Sequence, residues 1–214
     1  MLNVKLMKVL FLAPHTDDAE LGCGGTLSRF LNEGATVHVV AFSSCKESLN
    51  EMMPEDTLAN EFFSAMKSLD NQNLTFELSE FPVRNFEYVR QDILDFMIEV
   101  RNRFEPDIIF VPSSTDIHQD HQVIHNEGVR AFKNKTILGY ELPWNHISSK
   151  QNLFISLSPI ELDNKVKLLN EYVSQKKVSR KYFKANFMSN LAEFRGAQVG
   201  MEAAESFEII RMTL

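Results

Sequence analysis

Apolar residues in this chain gather into short runs that alternate with stretches of helical spacing. Lys8-Val9-Leu10-Phe11-Leu12-Ala13 is a short apolar run closed by Pro14, the mark of a buried strand. Residues 18–32 then carry Leu21, Leu27, Phe30 and Leu31 at roughly helical spacing, with Gly34 as the stop. The Gly22-Cys23-Gly24-Gly25 run inside that stretch is poor for a helix by propensity and points to close backbone packing near the helix start. Valine-rich 36–42 reads as a second strand, 43–56 as a polar loop, 57–69 as an amphipathic helix and 74–78 as a short strand. Helix 86–104 sets Ile93, Phe96, Met97 and Val100 on one stripe, and Pro106 separates it from a buried strand at 107–111. A helix at 119–132 and strands at 136–140 and 151–157 follow. Residues 159–175 form a helix opened by Ser158 as N-cap. Residues 181–204 read as mostly helical with a break near Gly196, and 207–212 as a closing strand.

Strands alternating with helices through most of the chain predict an α/β fold: a Rossmann-like, mostly parallel sheet with helices on both faces, in a single domain spanning 1–214. In such folds the active site lies beyond the carboxyl ends of the strands. The two most unusual polar clusters both sit there. His15-Thr16-Asp17-Asp18 follows the first strand, and Asp116-Ile117-His118-Gln119-Asp120-His121 follows the strand ending at Val111.

Composition narrows the partners. A net charge of −7 argues against nucleic acid, which needs a basic face. Cys23 and Cys45 are too few for a disulfide framework or a zinc ribbon, and a reduced, cytoplasmic setting suits them. The apolar run at Met7–Ala13 ends at once in a polar cluster, so it reads as neither a signal peptide nor a membrane span. Phe-rich helical surfaces are compatible with a homo-oligomer.

The two clusters together hold histidines and carboxylates in the mix that zinc takes in hydrolases, three protein ligands with one open position. A bound zinc brings the pKa of water from ~15.7 to about 7, and a free neighbouring carboxylate can take the proton. Adjacent aspartates divide ligation and base catalysis between them. A further imidazole can stabilise the oxyanion and protonate the leaving amine. Spacing alone leaves open whether His118 or His121 is the ligand.

The segment Pro14-His15-Thr16-Asp17-Asp18-Ala19-Glu20-Leu21-Gly22-Cys23-Gly24-Gly25-Thr26 resembles the signature of the PIG-L/LmbE family of zinc-dependent N-deacetylases. Asp116 to His121 resembles that family's second, His-x-x-His motif. Ser174-Gln175, Phe194-Arg195-Gly196 and Ala204-Glu205-Ser206-Phe207 resemble its C-terminal part. One departure is Thr16, where the family usually has proline. The resemblance implies that His15, Asp18 and His121 bind Zn2+, with Fe2+ possible on the same ligands. It implies Asp17 as general base on a metal-activated water, His118 as oxyanion stabiliser or general acid, and Asp120 as the residue that orients a histidine. It also places a substrate-contacting arginine in a comparable loop, here Arg84, whose guanidinium suits a sugar hydroxyl or a phosphate.

Plainer readings compete at several positions. Asp17 alone reads as a helix N-cap. A site built from His118, His121 and His125 would leave the first cluster unused, so His125 is assigned a structural or surface role. Glu20 is expected to hydrogen-bond backbone near the glycine turn, His38 to be core or surface, and Lys46 to be inert. The loop carrying Trp144 and His146 either stacks on a sugar or packs on the core. The expected activity is removal of an N-acetyl group from an N-acetylglucosamine-type sugar or conjugate. The alternatives are another N-acyl substrate (glycopeptide or lipid-linked) and a non-catalytic nucleotide-binding α/β module. The latter is a poor match, because neither a Gly-x-Gly-x-x-Gly nor a P-loop pattern is present.

Overall fold

The computed structural model describes residues 4–49, 52–177, 180–184 and 186–213, so positions 50–51 of the expected 43–56 loop and position 185 of the expected 181–204 helix lie outside the described residues. The chain runs β1 (Lys8–His15), α1 (Asp18–Asn32), β2 (Thr36–Ser43), α2 (Thr57–Ser68), β3 (Leu74–Leu78), α3 (Arg90–Phe104), β4 (Ile108–Pro112) and α4 (Gln119–Ala131). It continues with β5 (Thr136–Tyr140), β6 (Leu153–Ser156), α5 (Pro159–Asn170), α6 (Val173–Lys177), α7 (Phe187–Ala197) and β7 (Ala204–Arg211). The sheet order is β3-β2-β1-β4-β5-β7-β6. β1 to β5 pair in parallel, and β7 is antiparallel to both β5 and β6.

Side-chain alternation along β1 splits the core in two. Val9, Phe11 and Ala13 face α1, α2 and α5, where Leu21, Leu27, Phe62, Met66 and Leu168 close over them. Leu10 and Leu12 face the other way, onto Ile93, Met97 and Val100 of α3 and Val123 and Ile124 of α4. Both faces of β1 are dry, which is why the strand reads as one apolar run rather than an alternation.

The topology places the site. From β1 the chain winds outward to β2 and β3, then returns across the sheet to lay β4 on the other side of β1. The connections after β1 and β4 therefore diverge, and a crevice opens between their carboxyl ends, at the switch point of the strand order. The glycines of α1 let that helix press onto the sheet: a Cβ on Gly22 would come within 2.5 Å of the Tyr140 ring.

Three expected elements differ in detail. The 86–104 helix begins with a 3-10 turn at Phe86–Val89 before α3. The 159–175 helix divides into α5 and α6, although its Ser158 N-cap is present and is completed by the Glu161 side chain accepting Ser158 N–H at 2.6 Å. The 181–204 helix contracts to a 3-10 turn at Lys181–Phe183 and α7. Gly200 takes a left-handed φ of 72° and turns the chain back, so Ala204-Glu205-Ser206 joins β7. Those residues favour helices by propensity, and pairing with β6 overrides it.

Candidate functional site

β1 delivers His15 as its last residue, and α1 begins three residues later at Asp18. The β4–α4 connection delivers Asp116, His118 and, one turn into α4, His121. The two loops meet so that three electron-pair donors converge. His15 Nδ1 lies 3.1 Å from Asp18 Oδ2, His121 Nε2 lies 3.2 Å from the same oxygen, and the two nitrogens are 3.3 Å apart. Atoms bound tetrahedrally at ~2.0–2.2 Å from a zinc lie roughly 3.3–3.5 Å from one another. The triangle therefore fits a small divalent cation.

The far nitrogen of each histidine is tied to a carboxylate. His15 Nε2 is 3.0 Å from Asp120 Oδ2, and His121 Nδ1 is 2.7 Å from Asp116 Oδ2. A proton on each of those nitrogens leaves a lone pair on the nitrogen facing Asp18. Asp120 also accepts the backbone N–H of Arg84 at 2.6 Å, and Asp116 accepts from the Asn145 amide at 3.3 Å. Such lone pairs repel one another unless a cation or a proton lies between them. The local charges show it: burial opposes protonation of His121, yet Asp18 and Asp116 push its pKa up to about 10. Burial alone would raise Asp18, but His121 and His15 hold its carboxyl far below the usual range.

His118 stands beside the triangle, with a nitrogen within 4.8 Å of those of His15 and His121. Its Nδ1 accepts the Asp120 backbone N–H at 3.2 Å and caps α4, so the neutral ring carries its proton on Nε2. Burial, then the charge of His121, draws its pKa down to about 4. Asp17 occupies the N-cap position of α1, but its carboxylate makes no cap bond and lines the cavity instead. Burial and the adjacent Asp18 push it up to about 6.

These groups floor a cavity of about 200 Å³. Arg84 reaches its rim with a left-handed φ of 66°, its guanidinium donating to the Glu47 carbonyl at 3.2 Å. Every expected site residue thus borders the cavity or, like Asp120, backs a residue that does. The other histidines do not. His125 Nδ1 donates to the Pro112 carbonyl at 2.8 Å, and His38 bonds Thr75 and Glu77 on the outer strands. His146 turns away to Thr115, 2.8 Å off, while Trp144 lines the cavity. Glu20 is fully buried and keeps a backbone hydrogen bond as expected, and its carboxylate also meets the Tyr172 hydroxyl at 2.6 Å, because Tyr172 packs down over the start of α1.

Sequence reasoning missed Asp116 as the partner of His121, Asn145 behind it, and Arg180 and Tyr182 on the rim. Asp116 had a usable signal, a carboxylate in the same short loop as the histidine it holds. Arg180 and Tyr182 had none, since they sit at the short 3-10 turn Lys181–Phe183 far along the chain.

Among the described residues no helix is long and apolar enough to cross a membrane. Residues 10–132 match the PIG-L family, described as GlcNAc-PI de-N-acetylase. The chain is 24% identical over 171 residues to the uncharacterized deacetylase YaiS of Escherichia coli (strain K12), covering 78% of this chain and 90% of YaiS. Among solved structures it is similar to GalB, the 4-carboxy-2-hydroxymuconate hydratase of Pseudomonas putida KT2440 (TM-score 0.79, 18% identity, 98% of each chain). It is also similar to the N,N'-diacetylchitobiose deacetylase of Pyrococcus horikoshii (TM-score 0.68, 18% identity, 95% of this chain and 84% of that one). The structural likenesses establish the fold, and the matched residues include His15, Asp17, Asp18, His118 and His121: the chain belongs to the PIG-L family of deacetylases.

Proposed function

We propose that this chain, as one domain over 1–214, is a zinc-dependent deacetylase that removes the N-acetyl group of an N-acetylglucosamine-type sugar. The observation that carries the reading is the triangle of His15 Nδ1, Asp18 Oδ2 and His121 Nε2, with a carboxylate behind each imidazole and the unbonded Asp17 beside them. Zinc, or iron on the same donors, would supply Lewis acidity toward the amide carbonyl and make water more acidic. His118 lacks a carboxylate behind it and spends Nδ1 on the α4 cap, so it is assigned to the reacting oxygen rather than to the metal.

Asp17 takes a proton from the attacking water. Its raised pKa, about 6, suits a group that must accept a proton and give it up again. The Nε2–H of His118 donates to the oxygen that gains negative charge as the carbonyl carbon becomes tetrahedral. The proton held by Asp17 passes to the leaving nitrogen, and the products are the free amine and acetate. The cavity, about 200 Å³, is below the ~300–1,000 Å³ of pockets for drug-sized ligands and suits a single sugar ring.

GalB carries a hydratase on the same fold, so fold alone does not choose the reaction. The family match and YaiS favour deacetylation. Metal analysis of the purified protein, with amine release from N-acetylglucosamine conjugates, tests the proposal. About one zinc per chain and a crippled Asp17→Asn variant are expected. A metal-free protein, or an Asp17→Asn variant as active as the parent, overturns it.

A further inference from the structure

The imidazoles of His15 and His121 are each held from behind by a carboxylate, and Asp18 Oδ2 accepts the His15 backbone N–H at 2.9 Å. Asp17 is held differently. Its carboxylate makes no cap bond, and the backbone N–H that it accepts is its own. The aim of the proposed base therefore depends on how its own peptide group is turned.

That peptide group joins Thr16 to Asp17. A peptide is planar, so fixing the Thr16 carbonyl also fixes the Asp17 N–H on its far side. Thr16 lies past the last pairing of β1, His15 with Ser43, and one residue ahead of the N-cap of α1. Its carbonyl accepts the Tyr172 hydroxyl. The same hydroxyl meets Glu20 Oε1 at 2.6 Å. One phenol oxygen thus staples residue 16 to residue 20 across the Asp17–Asp18 pair.

Tyr172 is itself anchored. It is fully buried between α5 and α6, with its ring centroid 6.1 Å from that of Phe183. Two residues on, Ser174 donates its backbone N–H and its hydroxyl to the two carboxylate oxygens of Glu61 in α2, at 2.7 and 2.6 Å. The Ser174-Gln175 motif thereby gains a function, since it ties down the segment that carries Tyr172. Glu20 Oε2 is buried with no hydrogen-bond partner among the described residues. A half-satisfied buried carboxyl is a poor stabiliser, which weakens the case for a purely structural staple.

We propose that Tyr172 is a positioning residue for the reaction: its hydroxyl sets the Thr16–Asp17 peptide and so aims the Asp17 carboxylate at the attacking water. This rests on the deacetylase reading above and adds to it a residue that does not line the cavity. Tyr172 acts only through Asp17 and touches neither substrate nor metal.

Tyr172→Phe removes the hydroxyl and leaves the ring. The metal-loaded variant should lose about 10–100-fold in kcat on an N-acetylglucosamine conjugate, because the base is no longer aimed. KM should stay near that of the parent, as should zinc affinity read by competition with a chelator. In an Asp17→Asn background the same substitution should cost less than about 3-fold, since the group it acts through is already lost. A role in stability alone would lower the thermal midpoint and zinc affinity, and its effect would add in full to that of Asp17→Asn. A folded Tyr172→Phe protein as fast as the parent, a fall in zinc affinity as large as the fall in kcat, or a fully additive loss with Asp17→Asn overturns the proposal while leaving the deacetylase reading intact. If Tyr172→Phe does not fold, combining it with Glu20→Met removes both polar partners, relieves the stranded carboxyl and takes the same readings. If the parent releases no amine, the deacetylase reading has failed, and crystal structures of parent and Tyr172→Phe decide the staple. A turned Thr16–Asp17 peptide in the variant supports it, and a Thr16 carbonyl that keeps its direction without the hydroxyl overturns it.

Discussion

The floor and the rim of the cavity are built on different principles. The floor comes from two short loops at the ends of adjacent parallel strands. Asp17, Asp18 and His121 are buried, His15 and His118 half-buried, and a carboxylate behind His15 and His121 gives each of those two imidazoles one orientation. The rim comes from segments scattered over the chain: the β3–α3 loop, the 3-10 turn Pro143–Asn145 and the 3-10 turn Lys181–Phe183 with Arg180 before it. Its groups are exposed or half-buried and held by neutral hydrogen bonds and ring stacking. The difference separates reaction from recognition. Chemistry needs sub-ångström placement of charge and is built from rigid, buried parts, whereas recognition can be rebuilt by changing loops.

The sharpest way to break that distinction is to remove a proposed metal ligand from the floor. His121→Ala should lose bound metal and essentially all activity, read by metal analysis and amine release. Retained metal would move the ligand assignment to His118. Next, Asp17→Asn should keep its metal and lose about 10²–10⁴-fold in kcat. Equal loss of metal and rate would make Asp17 a ligand instead. One layer further out, Asp116→Asn should weaken metal affinity by about 10–100-fold, measured by competition with a chelator, because His121 would no longer be fixed in one tautomer.

On the rim, Trp144→Ala removes the platform under Tyr182 and should raise KM by about 3–10-fold with little change in metal content. A rim substitution that emptied the metal site would erase the distinction.

Far from the cavity, the smallest effect is a control. Burial alone would raise Glu77, but His38 and Arg103 hold its carboxyl down at about 2. A carboxyl lowered on folding stabilises the fold above its unfolded pKa of about 4.5, and that contribution fades as pH falls toward about 2. Glu77→Gln should therefore lower the thermal midpoint modestly at pH 7 and by a diminishing amount toward pH 2. Deacetylation at pH 7 should be untouched.

The floor was readable because each of its loops packs several ligand-type residues into a few positions directly after an apolar strand. Two such clusters in one α/β pattern specify both the fold and the place of the site. The parallel strands were readable for a related reason, since burial on both faces turns them into plain apolar runs. The last third was harder. Ala204-Glu205-Ser206 is a strand through pairing with its neighbours, and local composition carries no trace of that pairing. Arg180 and Tyr182 gain meaning only from Trp144, which the fold brings across from another loop. The role of Asp116 depends on the ring orientation of His121, a property of three dimensions.

One contact of the closing strand bears on the order in which the protein can be made. Glu205 in β7 accepts the backbone N–H groups of Gly25 and Thr26 at 3.1 and 2.7 Å, and the Lys165 ammonium at 2.5 Å. Lys165 in turn holds the Leu21 carbonyl at 2.7 Å, so an amide and a carbonyl one turn apart in α1 are both gripped from outside the helix. The carboxylate leaves the ribosome 180 residues after Gly25, roughly 10–40 s later at the usual pace of synthesis. Throughout that interval the first helix, which positions Asp17 and Asp18, lacks the Glu205 clasp, and the nascent chain presents the first half of its candidate site before it can lock it.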